Sequence, residues 1–426
     1  MLSLTIPVAP ATGFTVSGEG FAPDSWIWIT LDDLTSGAQV VNGPEAFQPD
    51  PGGSFTRTDS STLPPGHTFR ANAFVGDEVV ATSEPVTKRS APEPPPGEVG
   101  TVADADATAA TKATYRDLVA APERVDNRLV IGQALRGWDF EVPVAQPVSA
   151  LTDAGLPAPK LIEVDLTDFG VTAEHDKELH MLLRDHADVG GLIGLSWHVG
   201  NPFTGGNVND RNGVDLPQLA DPTAPRTPAG TQWKAELDRI ADILQTFADM
   251  DAVVVFRPLH ESNGDWFWWG QKDPAEFATT WEGMFRYLTT SRGLHNLLWA
   301  YSANRNLGGE VFDPTRVYPG DAVVDIVGLD IYDDDLSDAG PGEPGYAALV
   351  ALGKPFAITE YGAANWPTNH DGAIHLPNNR VIALIKQRYP RCVLATAWYS
   401  SDGNNWQISD KPAPKELLLD PWAITR

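Results

Sequence analysis

Eight nearly continuous apolar runs recur along the rear part of this 426-residue chain, and segments with helical periodicity separate them. The runs are LVIGQAL (129–135), KLIEVDL (160–166), GLIGLSWHV (191–199), AVVVFRPLHE (252–261), NLLWAYSAN (296–304), VDIVGLDIY (324–332), PFAITEYG (355–362) and CVLATAWYS (392–400). Apolar strands that alternate with amphipathic helices are typical of a parallel sheet covered by helices. Eight such repeats predict an α/β fold of the (β/α)8 type, a TIM barrel. The alternative, an open sheet that binds a nucleotide, lacks a G-x-G-x-x-G or G-x-x-x-x-G-K-[ST] motif after any run.

A proline-dense segment, SAPEPPPG at 90–97, separates this barrel from a smaller front part. Prolines at this density favour an extended, semi-rigid linker. The front part alternates short β-rich runs with Gly, Pro and Asp turns, which is typical of an immunoglobulin-like β-sandwich. The sequence therefore predicts an all-β sandwich over 1–89, a linker over 90–109 and a barrel domain over 110–426.

Composition excludes several classes of partner. With 57 acidic and 30 basic residues the net charge is −27, which repels phosphate backbones and anionic lipid surfaces, so neither nucleic acid nor a membrane is an expected partner. No apolar run approaches the roughly 20 residues needed to cross a bilayer. The single cysteine, Cys392, lies in an apolar run and is expected to be a buried thiol.

Polar and aromatic residues end almost every apolar run, where a barrel of this type places its active site. These residues are His198, His260, Glu261, Asn304, Asp330, Tyr332, Glu360, Tyr361, Trp398 and Tyr399. Glu261 ends the fourth run and Glu360 lies in the seventh, so the two are expected to face each other across the barrel mouth. Glycoside hydrolysis needs two such carboxyls, one protonated to assist the leaving oxygen and one ionised at the anomeric carbon.

Tryptophans cluster at the same end of the predicted barrel, and indole rings stack on the apolar faces of sugars. They are Trp266, Trp268 and Trp269 directly after the fourth run, and Trp138, Trp197, Trp299, Trp366, Trp398 and Trp406 near other strands. Trp197 and Trp299 lie within strands and are expected to pack in the core. Trp398, which ends the eighth run, is expected to contact a central sugar.

Metal chemistry is the rival use of His and Glu, but the sequence has no H-E-x-x-H motif and its nine histidines are scattered. His175, His180 and His186 belong to one predicted helix and are expected to face solvent. The acidic run from Asp333 to Asp335 favours a solvated loop over a calcium site. No metal or other cofactor is expected.

Four ordered motifs resemble glycoside hydrolase family 26, whose commonest member is the endo-β-1,4-mannanase. They are RPLHESNGDWFWWG around Glu261, YSAN at the end of the fifth run, YPGD followed by VDIVGLDIYD, and PFAITEYG around Glu360. The resemblance covers about residues 110–420 and implies a retaining, two-glutamate mechanism. Ser262 and Ala303 depart from the family pattern, where many mannanases have Met and Pro, and this bears on substrate preference.

The resemblance also implies roles for individual residues. Glu261 matches the general acid/base and Glu360 the nucleophile. Tyr332 matches a tyrosine that orients the nucleophile, and His260 a residue that hydrogen-bonds near the reacting sugar. His198, Trp266 and Trp398 match residues that line the sugar subsites. A retaining enzyme should hold its carboxyls about 5–5.5 Å apart, and Glu261 should have the higher pKa of the two.

Three functions stay open at this point. The first is endo-acting β-1,4-mannanase activity on mannan, glucomannan or galactomannan, and the second is the same chemistry on a β-1,3-xylan or mixed-linkage β-glucan. The third is a non-catalytic glycan-binding protein. A polymeric substrate implies a secreted protein, although MLSLTIPVAP does not resemble a signal peptide. A monomer is the default expectation for an enzyme whose groove must accept a long chain.

The front sandwich is either a carbohydrate-binding module or a spacer. Trp26 and Trp28 lie two residues apart, so in one strand they would share a face. Such a pair in a small domain is expected to belong to its core, which favours the spacer or interaction domain.

Overall fold

The computed structural model describes residues 1–6, 14–42, 46–59, 63, 67–76, 78–87, 101–136, 144–305, 311–338, 343–364, 376–400 and 405–426. The chain divides into two compact units, each with its own hydrophobic core. Within the described ranges no helix combines the length and the apolar character that crossing a bilayer requires.

The front unit is built from antiparallel strands, as the sequence predicts. The strands are β1 (Leu2–Thr5), β2 (Phe14–Gly18), β3 (Ile27–Asp33), β4 (Gln39–Asn42), β5 (Phe55–Asp59), β6 (Thr68–Val75), β7 (Glu78–Thr82) and β8 (Val86–Thr87). One sheet has the order β1-β2-β5, and the other has the order β4-β3-β6-β7 with β8 paired to β6. Alternation along β6 directs Phe69, Ala71 and Ala73 into the core, where all three are fully buried.

The expected core position of Trp26 and Trp28 is wrong. Trp26 precedes β3 and is 59% exposed. Ile27 and Leu31 fill the core side of β3, so Trp28 lies on the opposite face, where its ring stacks on Phe74 with centroids 4.0 Å apart. Alternation along a strand shows which residues share a face, but it does not show which of the two faces is buried.

The second unit is a closed barrel of eight parallel strands, which confirms the predicted fold. The strands are β9 (Leu129–Ala134), β10 (Leu161–Asp165), β11 (Leu192–Trp197), β12 (Val254–Pro258), β13 (Leu297–Asn304), β14 (Ile326–Tyr332), β15 (Phe356–Gly362) and β16 (Cys392–Ala397). Their order follows the chain, and β9 pairs with both β10 and β16 to close the barrel. A short strand, β17 (Ala423–Ile424), adds to β9 in parallel. Nearly every strand residue is buried because side chains face either the barrel interior or the helices.

Helices cover the outer face of the barrel. They are α1 (Ala109–Ala120), α2 (Gln146–Asp153), α3 (Ala173–Asp188), α4 (Pro228–Ala248), α5 (Pro274–Arg286), α6 (Pro344–Val350), α7 (Asn378–Arg388) and α8 (Pro414–Leu418). The longest, α4, begins with Pro228 after Thr227, whose hydroxyl accepts a hydrogen bond from the main-chain N–H of Gly230 at 3.0 Å. Its buried stripe recurs at helical spacing, and Trp233 of this stripe stacks on Trp197 of β11.

The expectation that the three histidines of α3 face solvent is wrong. His175 and His186 are only 5% and 3% exposed, and His180 packs its ring against Phe169 and Phe247. His175 and His186 share the helical face of Leu179 and Leu183, and that spacing places them against the barrel. Burial lowers the pKa of His186 to about 4, so its ring is neutral and donates from Nε2 to the Lys160 carbonyl.

Part of the predicted linker belongs to the barrel unit. Residues 90–100, Trp138 and Trp366 lie outside the described residues. Val102 is buried, and Asp104 Oδ2 lies 2.8 Å from His295 Nδ1. The segment 101–109 is therefore packed against the barrel. Cys392 is buried, as expected.

Candidate active site

A cavity of about 580 Å³ opens at the carboxyl ends of the barrel strands. All seven residues predicted to form the site line it: His198, His260, Glu261, Trp266, Tyr332, Glu360 and Trp398. They come from β14 and β15 and from the segments that follow β11, β12 and β16. Phe267, Asn304, Arg305, Tyr399 and Trp406 also contribute to the wall.

Glu360 lies in β15, is 4% exposed and is held by two strong donors. The Tyr332 hydroxyl donates to its Oε2 at 2.6 Å, and the Arg257 guanidinium donates to its Oε1. Burial raises the pKa of Glu360 to about 7, and the charge of Asp330 adds to this effect. Arg257 and Tyr332 act in the opposite direction because both stabilise the anion.

Glu261 follows β12 and is 9% exposed, and its hydrogen-bond partners among the described residues are neutral donors. Trp266 Nε1 donates to its Oε2 at 2.7 Å, and Asn304 Nδ2 donates to its Oε1 at 2.5 Å. Burial raises the pKa of Glu261 to about 7, and the negative charge of Glu360 raises it further, while the two donors oppose the shift. A buried carboxyl without a cation in contact holds its proton more readily than one paired with arginine.

The backbone that presents Glu261 is strained. Leu259 has φ 46° and Glu261 has φ 51°, both in the left-handed region that residues with a side chain avoid. Each such residue costs of order 1–3 kcal/mol and persists only where its surroundings hold it. The main-chain N–H of Glu261 donates to the Ser302 carbonyl at 2.8 Å, which ties the turn to β13.

Arg257 organises a buried charge network below Glu360. Besides Glu360 it donates to Glu163 Oε1 at 2.8 Å and to Asp330 Oδ2 at 3.2 Å. Asp330 also accepts the hydroxyls of Ser302 and Thr359. Arg257 is buried inside β12, so it is an internal counter-ion for three carboxyls. Arg257 and Glu163 were not predicted as site residues, although each is a charged residue inside a largely apolar run.

Two histidines meet beside the carboxyls. The Nε2 atoms of His198 and His260 are 3.1 Å apart, and His198 Nδ1 lies 2.7 Å from Asp165 Oδ2. The ring of Phe267 packs edge-on against both imidazoles. Asp165, at the end of β10, was also missed by the sequence analysis.

The tryptophans separate into two groups. Trp266, Trp398 and Trp406 line the cavity. Trp268 and Trp269 are fully buried, and their indole N–H groups donate to the carbonyls of Val199 and His260. Trp197 and Trp299 are also fully buried, as expected. The buried indoles therefore support the loop that carries Trp266.

The acidic loop after β14 is bound by arginines and main chain. Arg305 pairs with Asp333, Arg380 pairs with Asp335, and Asp334 accepts from the main-chain N–H of Ala364 at 3.0 Å. Among the residues that the structure describes, no three His, Cys, Asp or Glu side chains are grouped to hold a metal.

This arrangement places two carboxyls of unlike surroundings in one aromatic-walled cavity. Glu360 has a cation to stabilise its charge, and Glu261 has neutral donors that permit it to hold a proton. Such a pair is suited to protonate one side of a neutral substrate bond while the other side is attacked.

Known proteins are similar to this chain in sequence and in fold. The model of glycosyl hydrolase family 26 matches residues 148–426. Mannan endo-1,4-beta-mannosidase of Bacillus subtilis (strain 168) is 30% identical over 330 residues, which cover 74% of this chain and 85% of that protein. Mannan endo-1,4-beta-mannosidase A and B of Caldalkalibacillus mannanilyticus is 36% identical over 250 residues, 56% of this chain and 45% of the relative's length.

A solved structure of a Bacillus subtilis mannanase matches with a TM-score of 0.65 and 29% identity, and the match covers 77% of this chain and 96% of that one. The sequence relatives and the solved structure thus agree with each other. Since the family model matches more than half of the residues of this chain, the chain belongs to glycosyl hydrolase family 26.

Proposed function

We propose that this protein is a retaining endo-β-1,4-mannanase that cleaves mannan, glucomannan or galactomannan. The observation that carries the proposal is the pair of buried carboxyls in one cavity, Glu360 bound to a cation and Glu261 bound to neutral donors. The names of the two curated relatives support the choice of mannan as substrate.

In the first step Glu360 is the nucleophile. One of its carboxylate oxygens attacks the anomeric carbon, and the bond from that carbon to the glycosidic oxygen breaks. Glu261 transfers its proton to the departing oxygen, so the leaving sugar departs as a neutral alcohol. The products of this step are a glycosyl ester on Glu360 and an ionised Glu261.

In the second step Glu261 acts as the base. It takes a proton from a water molecule, whose oxygen attacks the anomeric carbon and displaces the Glu360 carboxylate. Both carboxyls return to their starting forms, and the anomeric configuration is retained.

The remaining residues bind and orient. Tyr332 holds Oε2 of Glu360, and Trp266 holds Oε2 of Glu261 while its ring forms part of the wall. We assign Trp398 to stacking on a sugar ring, and His198 and His260 to hydrogen bonds with sugar hydroxyls. Neutral sugars suit this wall because aromatic faces bind them without charge.

The test measures reducing ends released from glucomannan, galactomannan, β-1,3-xylan and mixed-linkage β-glucan by the intact chain. Activity on the mannans alone is expected, and activity only on another polymer would keep the chemistry but replace the substrate. The anomer formed first, read by proton NMR, is expected to have the configuration of the substrate.

Matched variants assign the carboxyls. Glu360→Ala and Glu261→Ala are each expected to lower kcat by at least about a thousandfold, because each removes a group that acts on the reacting bond. Glu282→Ala is the control, since that glutamate is exposed and pairs with Arg286 one turn along the same helix. Activity that survives Glu360→Ala would remove Glu360 as the nucleophile, whereas no activity of the intact chain on any of the four polymers would favour a glycan-binding function.

Location and organisation complete the proposal. Polymeric glycans do not enter cells, so we place the protein outside the cell as a monomer whose partner is the polysaccharide. Residues 1–89 would form an accessory domain, and the predicted linker over 90–109 would join it, through the packed segment 101–109, to a catalytic domain over 110–426.

A further inference from the structure

Asp165 is surrounded by hydrogen-bond donors. Its carboxylate accepts from the main-chain N–H and hydroxyl of Thr167, from the Ser196 hydroxyl at 3.0 Å, and from the main-chain N–H of His198. Its Oδ2 also lies 2.7 Å from Nδ1 of His198. Burial alone would raise the pKa of Asp165, but the charge of His198 and these donors outweigh it and lower the pKa. Asp165 is therefore a fixed anion behind His198.

The contact between the two imidazoles needs one proton. The Nε2 atoms of His198 and His260 are 3.1 Å apart, so one of them must donate and the other accept. If His198 donates, it carries protons on both nitrogens, and neutral His260 has its remaining proton on Nδ1. If neutral His260 instead donates from Nε2, its Nδ1 has a lone pair and can only accept a hydrogen bond. The position of one proton thus decides what His260 offers to a ligand.

The charges around the pair favour donation by His198. Burial would lower the pKa of His198, but contact with Asp165 on β10 reverses this and raises it, with a contribution from Glu360 on β15. For His260, burial and the nearby charges of Arg257 on β12 and of His198 lower the pKa, and Asp165 opposes them only weakly. A positive charge is therefore stable on His198 and unstable on His260.

Nδ1 of His260 is buried and has no hydrogen-bond partner among the described residues. A buried donor without a partner costs about 1–3 kcal/mol, which a ligand acceptor would recover. His260 lines the proposed sugar site, where hydroxyl oxygens can accept.

We propose that Asp165 is a positioning residue that keeps the shared proton on His198, so that neutral His260 offers an N–H from Nδ1 to a sugar hydroxyl. The inference deepens the proposed function and rests on it for the identity of the ligand. Asp165 does not touch the substrate in this proposal and acts only through the two imidazoles. A purely structural alternative is that Asp165 caps the turn Leu166–Asp168 through Thr167.

NMR of the full chain labelled with 15N-histidine tests the proton directly, because ring nitrogen shifts distinguish charged rings and both neutral tautomers. Spectra of His198→Gln and His260→Gln assign the two signals. At pH 6 we expect a charged His198 and a neutral His260 with its proton on Nδ1. A neutral His198, or a His260 protonated at Nε2, would overturn the proposal. The spectrum requires no turnover, so it stands apart from the success of the mannanase assignment.

The variant Asp165→Asn removes the negative charge and keeps the size and shape of the side chain. We expect His198 to be neutral at pH 6 in this variant and kcat on the accepted polymer to fall by about tenfold or more, with a smaller change in KM. A charged His198 in the folded variant would leave Asp165 with only its structural role. If the variant fails to fold, the spectrum of the unaltered chain still decides the question.

Asp104→Asn is the matched control. Asp104 Oδ2 lies 2.8 Å from His295 Nδ1, nearly the same geometry as Asp165 and His198, but neither residue lines the cavity. We expect Asp104→Asn to leave kcat, KM and the pH profile of kcat/KM unchanged. If kcat falls equally in Asp104→Asn and Asp165→Asn, loss of any His–Asp pair is enough to lower it, and the proposal fails.

Discussion

The surroundings of Glu261 and Glu360 differ more than their similar burial suggests. Glu360 is linked through Arg257 to a network of buried charges that extends across the barrel interior. Glu261 is linked to an indole and an amide at the end of a strained turn. Burial raises the pKa of both carboxyls to about 7, so the contrast lies in their partners, a cation for Glu360 and neutral donors for Glu261. Such a difference in partners can suit two identical side chains to different tasks.

The largest effect is expected from removing Arg257, the cation that distinguishes the surroundings of Glu360 from those of Glu261. Arg257→Met would leave Glu163, Asp330 and Glu360 without their shared cation. Uncompensated buried charge typically costs about 3–5 kcal/mol, so we expect a loss of that size in the free energy of unfolding at pH 7. Urea denaturation measures it.

Arg286→Met is the control for that experiment. Arg286 forms an exposed i,i+4 pair with Glu282, and such a pair contributes about 0.5 kcal/mol or less. A loss near that small value for Arg257→Met would show that the network does not hold the site.

The second test uses the cost of burying Glu261. In the folded chain the pKa of Glu261 is about 7, above its usual 4.5. Well below pH 4.5 the carboxyl is protonated in both the folded and the unfolded chain, so Glu261 does not then lower the free energy of unfolding. As the pH rises from 4.5 to 7 the unfolded chain ionises freely while the folded chain resists, and stability is lost. Glu261→Gln is therefore expected to be more stable than the unaltered chain at pH 8, by on the order of 2 kcal/mol.

The difference should vanish near pH 4.5 in thermal or chemical unfolding. Asn304 can accommodate the new amide by rotating its own, because its Oδ1 has no partner among the described residues. Glu282→Gln, at an exposed glutamate that pairs with Arg286, provides the comparison and is expected to change the free energy of unfolding by about 0.5 kcal/mol or less. A constant difference at all pH values would contradict the raised pKa.

The third test sharpens the role of Tyr332. Tyr332→Phe removes the 2.6 Å hydrogen bond to Glu360 and keeps the ring that packs on Trp406. We expect kcat to fall about tenfold, equivalent to about 1.4 kcal/mol, because Glu360, our proposed nucleophile, loses a donor that orients it.

Tyr318→Phe removes a similar hydrogen bond, from Tyr318 to Asp321 at 2.8 Å, at a place that does not line the cavity. Steady-state kinetics of the two variants on one polymer separate the effects. Equal kcat values for Tyr332→Phe and the unaltered chain would remove Tyr332 from the mechanism.

The smallest expected effect concerns the partner of Glu261. Trp266→Phe keeps an aromatic wall but deletes the N–H that stabilises the Glu261 anion, so the pKa of Glu261 should rise. The alkaline limb of kcat/KM should then move to higher pH by about half a unit, which corresponds to about 0.7 kcal/mol. A shift to lower pH would show that this limb does not report Glu261.

The sequence predicted the barrel well because burial on both faces makes each strand an unbroken apolar run. It also predicted that Glu261 and Glu360 lie at one end, since parallel strands in a barrel share their direction. It did not reveal how Arg257 joins Glu163 to Asp330, because pairing across the barrel interior depends on strand tilt and side-chain direction.

Other errors had local causes. Trp266, Trp268 and Trp269 lie within four positions, yet only Trp266 lines the cavity. The left-handed residues Leu259 and Glu261 set the direction of that loop, and nothing in the sequence marks them because neither is glycine. For His175 and His186 the signal was present, since their spacing from Leu179 and Leu183 identifies the buried face.

The left-handed turn at Leu259 and Glu261 has a consequence for enzyme design. Idealised barrels are built without positive φ at residues that carry side chains, because such backbones fold most readily. A designer who transplants only the two glutamates onto such a scaffold would lose the backbone that sets the direction of the Glu261 side chain, our proposed acid/base. The transferable unit is instead the whole segment from Arg257 to Gly270, with its buried indoles as the clamp that keeps the turn in place.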